Sequence, residues 1–81
     1  MKIVNNFIYQ ISEDGTTVTI ARKAYLSNLA GQMLVNRQME GILVHTGLYR
    51  DMVFEGYIYT GLIFNLTITE EELVAALSVN T

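Results

Sequence analysis

The groups able to do chemistry in this 81-residue chain are the hydroxyls of Ser12, Ser27 and Ser78, a lone His45, and carboxylates at Asp51, Glu55 and Glu70 to Glu72. Nucleophilic catalysis needs a Ser, Cys, Thr or Lys activated by a base that a third group holds in place. Ser12 falls in a turn-forming run, Ser27 in a helical one and Ser78 near the end, and none has the flanking glycines of a nucleophile elbow. His45 sits in the apolar run ILVHT, where a single histidine reads as a structural residue bonded locally. Asp51 and Glu55 could share acid and base work only in a pocket that pushes their pKa values apart. Glu70-Glu71-Glu72 follows Thr69 in the pattern of a capping box, and adjacent carboxylates on one helical turn point in different directions. Cysteine is absent, which removes disulfides and thiolate metal ligands. Gly41, Gly47, Gly56 and Gly61 are isolated, with neither a GxGxxG nor a Walker pattern. The expectation is no catalytic residue, no metal, no cofactor and no enzymatic activity.

Tyrosines give a better lead. In the stretch EGYIYTGLIFNLTI, residues 55 to 68, Ile58, Leu62, Phe64, Leu66 and Ile68 share one strand face, while Glu55, Tyr57, Tyr59 and Ile63 share the other. Tyrosine offers a large apolar area, a hydroxyl and little rotamer entropy to lose, the attributes of an interface residue. Glu55, Tyr57, Tyr59 and Ile63 are therefore the expected partner-binding face.

Composition points the same way. Hydrophobic residues make up 51% of the chain and charged residues 16%, against about 25% charged in an average soluble domain. A domain this small buries only about 60% of its unfolded surface, so apolar surface is left over, and such patches mark contact sites. The expected partners are a second copy of the chain, as a homodimer or higher oligomer, and another protein. A net charge of −3, with Lys2, Arg22, Lys23, Arg37 and Arg50 scattered, gives no surface for nucleic acid. Residues 52–68 are interrupted by Glu55, Asn65 and Thr67 and fall short of the ~20 needed to cross a bilayer. Met1-Lys2 is followed by Ile-Val-Asn-Asn rather than an apolar leader, so a cytoplasmic protein without membrane contact is expected.

The elements that must position these residues follow from periodicity. Residues 3–11 alternate as one strand, with Ile3, Phe7, Tyr9 and Ile11 on a face whose apolar run Asn5 interrupts. Asp14-Gly15 predicts a hairpin turn, with Thr17 to Ala21 returning and Val18 and Ile20 pointing inward. From Arg22 to Met39 the period lengthens to that of a helix. Leu26, Leu29, Ala30, Met33, Leu34 and Arg37 form the stripe expected to face the core, and Gly41 is the expected stop. On the opposite side Ala24, Asn28, Gly31 and Val35 make a small-residue stripe, the expected oligomer interface. Residues 42–46 read as a short strand and 47–51 as a turn. Residues 52–68 read either as one strand bent at glycine or as strands 52–59 and 62–68 joined by Thr60-Gly61. A short helix over 70–78 follows the cap at Thr69. The order defines a single α+β domain: a small antiparallel sheet of four to five strands, a long helix on one face and a short C-terminal helix.

Three functions fit these features. The first is a non-enzymatic, homo-oligomeric protein-binding module. Its size and lack of Cys and Pro resemble, in style and by no motif, small phage or mobile-element proteins that inhibit a host factor. The second is an oligomer that sequesters a small ligand or nucleotide through tyrosine rings and Arg22, Arg37 or Arg50. The third is a structural subunit of a larger assembly.

Overall fold

The computed structural model describes residues 1–25 and 29–79, of which the Tyr25 side chain is left out. Two-residue turns with both central residues at positive φ twist in the same sense as the strands they join, and two of them organise the sheet. Asn5-Asn6, at φ 49° and 64°, joins β1 (Lys2–Val4) to β2 (Phe7–Ile11). Glu55-Gly56, at φ 51° and 84°, joins β4 (Val44–Phe54) to β5 (Tyr57–Asn65). Between β2 and β3 (Thr17–Arg22) the expected Asp14-Gly15 turn forms. There Asp14 Oδ1 accepts from the Ser12 hydroxyl and from the amide and hydroxyl of Thr16. Those bonds, Ser12's foremost, hold the Asp14 pKa down to about 2. The result is a five-stranded antiparallel sheet in the order β1-β2-β3-β5-β4.

Several boundaries differ from the sequence reading: the helix expected from about Arg22 does not start there, because Arg22 ends β3 and Lys23–Tyr25 is a 3₁₀ turn. The run 3–11 breaks at Asn5-Asn6, because asparagine enters the left-handed region at low cost. Residues 52–68 are neither one bent strand nor two strands meeting at Thr60-Gly61; the chain reverses at Glu55-Gly56 instead. The stretch 47–51 is not a turn. His45 pairs with Phe64 and Tyr49 with Leu62, so the three residues Thr46 to Leu48 bulge opposite Ile63 alone. The Thr46 hydroxyl closes the bulge by donating to the Ile63 carbonyl at 2.8 Å and accepting from the Leu48 amide at 3.2 Å.

Both helices cover one face of the sheet. A 3₁₀ turn, Lys23–Tyr25, comes before α1 (Leu29–Met39); Leu26, Ser27 and Asn28 lie outside the described residues. Helix α2 (Glu70–Ser78) starts as the sequence predicts: Thr69 Oγ1 accepts from the Glu72 amide at 3.1 Å, and Glu72 Oε1 accepts from the Thr69 amide at 3.0 Å. Val35 and Met39 of α1 and Leu73 and Leu77 of α2 pack with Phe7, Val18, Ile20, Leu62 and Phe64 of the sheet, and Ile68 lies against the same cluster. Each such side chain contributes roughly 1.5–3 kcal/mol on burial. Gln38 Nε2 ties the helices together by donating to the carbonyls of Ala76 and Val79, at 2.7 and 3.0 Å.

The start of α2 is also fastened to the sheet, since Glu70 Oε2 accepts from Tyr9 Oη at 2.8 Å and from Lys2 Nζ at 2.7 Å. Burial first, then the bond to Glu70, pushes the Tyr9 pKa from 10.0 up to about 12. The bond to Lys2 first, then that to Tyr9, holds Glu70 below its ordinary value. A raised tyrosine pKa means that the folded state keeps its proton longer than the unfolded one, so this stabilisation is complete below pH 10.0 and fades as the pH rises towards about 12. For the depressed Glu70 the loss runs the other way, as pH falls through the carboxylate range. Urea titrations from pH 9 upward are expected to show stability falling in the alkaline window for the native chain and a shallower fall for Tyr9→Phe, which has no such proton to lose.

Candidate functional site

Alternation along β5 puts Tyr57, Tyr59, Gly61 and Ile63 on the face that no helix covers, as the sequence reading expects. That face is not open. Ile8, Ala21, Met52 and Tyr59 form a second buried cluster with Phe54 against it. Gly61 belongs to this layer because a Cβ there would overlap Thr19 Cγ2 and Met52 Sδ. Tyr59 is accordingly 3% exposed and Ile63 is buried, whereas Tyr57 is 59% exposed. Glu55, exposed at the turn, pairs with Lys23 at 3.0 Å. Of the four residues expected to meet a partner, Glu55 and Tyr57 are on the surface, and Tyr59 and Ile63 are held inside.

The two stripes of α1 are exchanged relative to expectation. Gly31, Val35, Gln38 and Met39 are the buried residues, while Leu29, Ala30, Met33 and Arg37 face outward. A floor carrying Phe7, Leu62 and Phe64 is already filled by large side chains, so the helix approaches it through its smaller ones. Gly31 and Val35 are therefore core residues and not an oligomer interface. Ala24 is exposed in the 3₁₀ turn, and Asn28 lies outside the described residues.

The apolar surface gathers instead on β4. This strand is 11 residues long and forms an edge of the sheet. A two-residue hairpin is closed by a pair that exchanges both hydrogen bonds, and bonded pairs then recur at every second residue. Phe54·Tyr57, Met52·Tyr59 and Arg50·Gly61 are those pairs. The amides and carbonyls of Tyr49, Asp51 and Val53 consequently point off the sheet. Around them Val44, Leu48, Tyr49 and Val53 are exposed, with Tyr57 and Ile58 on the neighbouring strand. Proteins usually blunt such an edge with lysine, proline or inward charge. Residues 44–54, VHTGLYRDMVF, contain neither Lys nor Pro, and only Arg50, Asp51 and the bulge interrupt the edge. That omission was the available sequence signal for Val44, Leu48, Tyr49 and Val53, and it was masked by placing a turn at 47–51.

A groove of ≈ 560 Å³ runs from α1 to the start of β4, with Met33, Arg37 and Glu40 on one side and Leu43, His45 and Phe64 on the other. His45 stacks edge-on against Tyr49 and lies against Phe64, both at 5.2 Å between ring centroids, and its Nε2 is 3.2 Å from the Leu48 carbonyl. The histidine thus braces the bulge. Among the described residues no Ser, Thr, Cys or Lys lines the groove beside it. Ser12 is bonded to Asp14, and Ser78 donates to the Val74 carbonyl. Among the described residues no group of three or more His, Cys, Asp or Glu is placed to hold a metal, and no helix is long and apolar enough to cross a membrane. No protein-family model, curated protein or solved structure matches the chain.

The orientation of α1 can be checked directly. Val35→Ala, at a position 0% exposed, is expected to cost about 2 kcal/mol in urea unfolding. Met33→Ala, at 56% exposed, should stay within about 0.5 kcal/mol of the native chain.

Proposed function

We propose that the protein is a cytoplasmic, non-enzymatic protein-binding module that works as a homo-oligomer, joined edge to edge through β4. One observation carries this reading: the unblunted edge of β4, where the backbone groups of Tyr49, Asp51 and Val53 point outward among exposed Val44, Leu48, Tyr49 and Val53. A second copy of β4, antiparallel to the first, would satisfy those groups and extend the sheet across a two-fold axis, with the same patch used on both sides. The register centred on Asp51 sets Tyr49 opposite the partner's Val53, an aromatic and β-branched pair worth about 0.2–1 kcal/mol. It also sets Asp51 opposite the partner's Asp51, a like-charge pair that weakens the association. Tyr57 and Glu55 at the hairpin turn then remain for a different protein, whose surface the oligomer occupies in the manner of an inhibitor.

A second reading, the sequestering of a small ligand, is favoured by the groove, whose ≈ 560 Å³ lies within the roughly 300–1,000 Å³ of small-molecule sites. Such a ligand would appear as extra mass that is released on denaturation.

Light scattering on a sizing column separates the outcomes. The native chain is expected to run as a dimer at micromolar concentration, Tyr49→Lys/Val53→Lys as a folded monomer, and Asp51→Asn as a tighter dimer. A native chain that stays monomeric throughout, or a lysine variant with unchanged mass, would sink the edge-pairing proposal.

A further inference from the structure

We infer that the protein carries a binding site for one small oxyanion, of phosphate or carboxylate chemistry, between Arg22 and Arg37. The two residues line a cavity of ≈ 110 Å³ where the Asn5-Asn6 turn meets the last turn of α1. The chain is acidic overall, with five cationic side chains against eight acids, yet two of the five line this cavity, and among the described residues no carboxylate does. The ion pairs among the described residues, Lys2 with Glu70 and Lys23 with Glu55, leave both arginines without an acidic partner.

Arg22 is held ready rather than loose. Its guanidinium lies over the Phe7 ring at 4.6 Å from the centroid, and Nη1 donates to the Asn5 carbonyl at 3.0 Å. Its Nε is buried without a partner. A buried donor left unpaired is costly, and the Nε and Nη2 edge opposite Nη1 is the fork that meets two oxygens of a carboxylate or phosphate. Arg22 lines the cavity, and binding through this edge requires the guanidinium to turn on the Phe7 ring. Arg37 at the end of α1 also complements the helix dipole, which accounts for a cation there but not for its convergence on Arg22.

Size decides the ligand. At ≈ 110 Å³ the cavity is well under the roughly 300 Å³ of the smallest ordinary ligand pockets. It suits a single ionic group with a water or two, and a whole nucleotide does not fit. At this cavity the ligand is a free small anion, and the site does not depend on how β4 is used.

The test is a titration of ¹⁵N-labelled protein with inorganic phosphate and, separately, acetate, at constant ionic strength with chloride as the reference. Saturable shifts are expected for the Arg22 Nε–H resonance and the Asn5 and Gln38 amides with phosphate or acetate. Arg37→Ala, at an exposed position, should weaken binding about tenfold or more while leaving the remaining spectrum in place. Arg22→Lys, which keeps the charge but loses the fork, should weaken it as well. Non-saturating shifts equal to those of chloride, saturable shifts confined to other residues, or unchanged binding by Arg37→Ala would each overturn the site. A fall in native mass on adding phosphate would also overturn it, because the acid filling the cavity would then belong to a second copy.

Discussion

The structure depends on β5 being buried on both faces. Leu62 and Phe64 lie beneath the helices, while Tyr59, Gly61 and Ile63 lie within the opposite layer with Met52 and Thr19. A strand between β3 and β4 that is apolar on both faces lets a short chain build two cores without a disulfide. Gly61 makes the second layer possible by leaving room for the Met52 side chain. With Tyr59 and Ile63 drawn inward, the surplus apolar surface is displaced outward, to the edge of β4 and to Leu29 and Met33 on the outer side of α1.

What could be read from the sequence was what local physics decides. The Asp14-Gly15 hairpin, the Thr69 capping box and helix 70–78 rest on bonds between near neighbours, and all three are present. The α+β class followed from the order of elements. Glu55-Gly56 was missed because a glutamate at φ 51° is unusual, and here Gly56 and the ion pair to Lys23 accompany it. The facing of α1 was missed for a different reason: both stripes are poor in charge, so hydrophobicity alone favoured the larger side chains, while the fit to a crowded sheet favoured Gly31 and Val35. Alternation correctly put Tyr57 and Tyr59 on one face. Whether that face met water depended on how the strands close over Ile8 and Ala21, which is a non-local property.

The charges fall into two kinds. Lys2–Glu70 and Lys23–Glu55 are exposed pairs of small energetic value that fasten α2 and the β4–β5 turn in place. Arg22 and Arg37, by contrast, form no ion pair with an acid among the described residues. The proposed edge pairing would use β4, and the proposed anion site lies at the end of β3 beside α1, so the two do not share residues.

Amide hydrogen exchange at Tyr49, Asp51 and Val53 tests the central claim most directly, because these are the amides that β5 leaves unpaired. Their exchange is expected to slow as protein concentration rises while the amides of exposed turns are unaffected. Fast exchange at all three positions, independent of concentration, would contradict edge pairing and leave β4 a solvated edge.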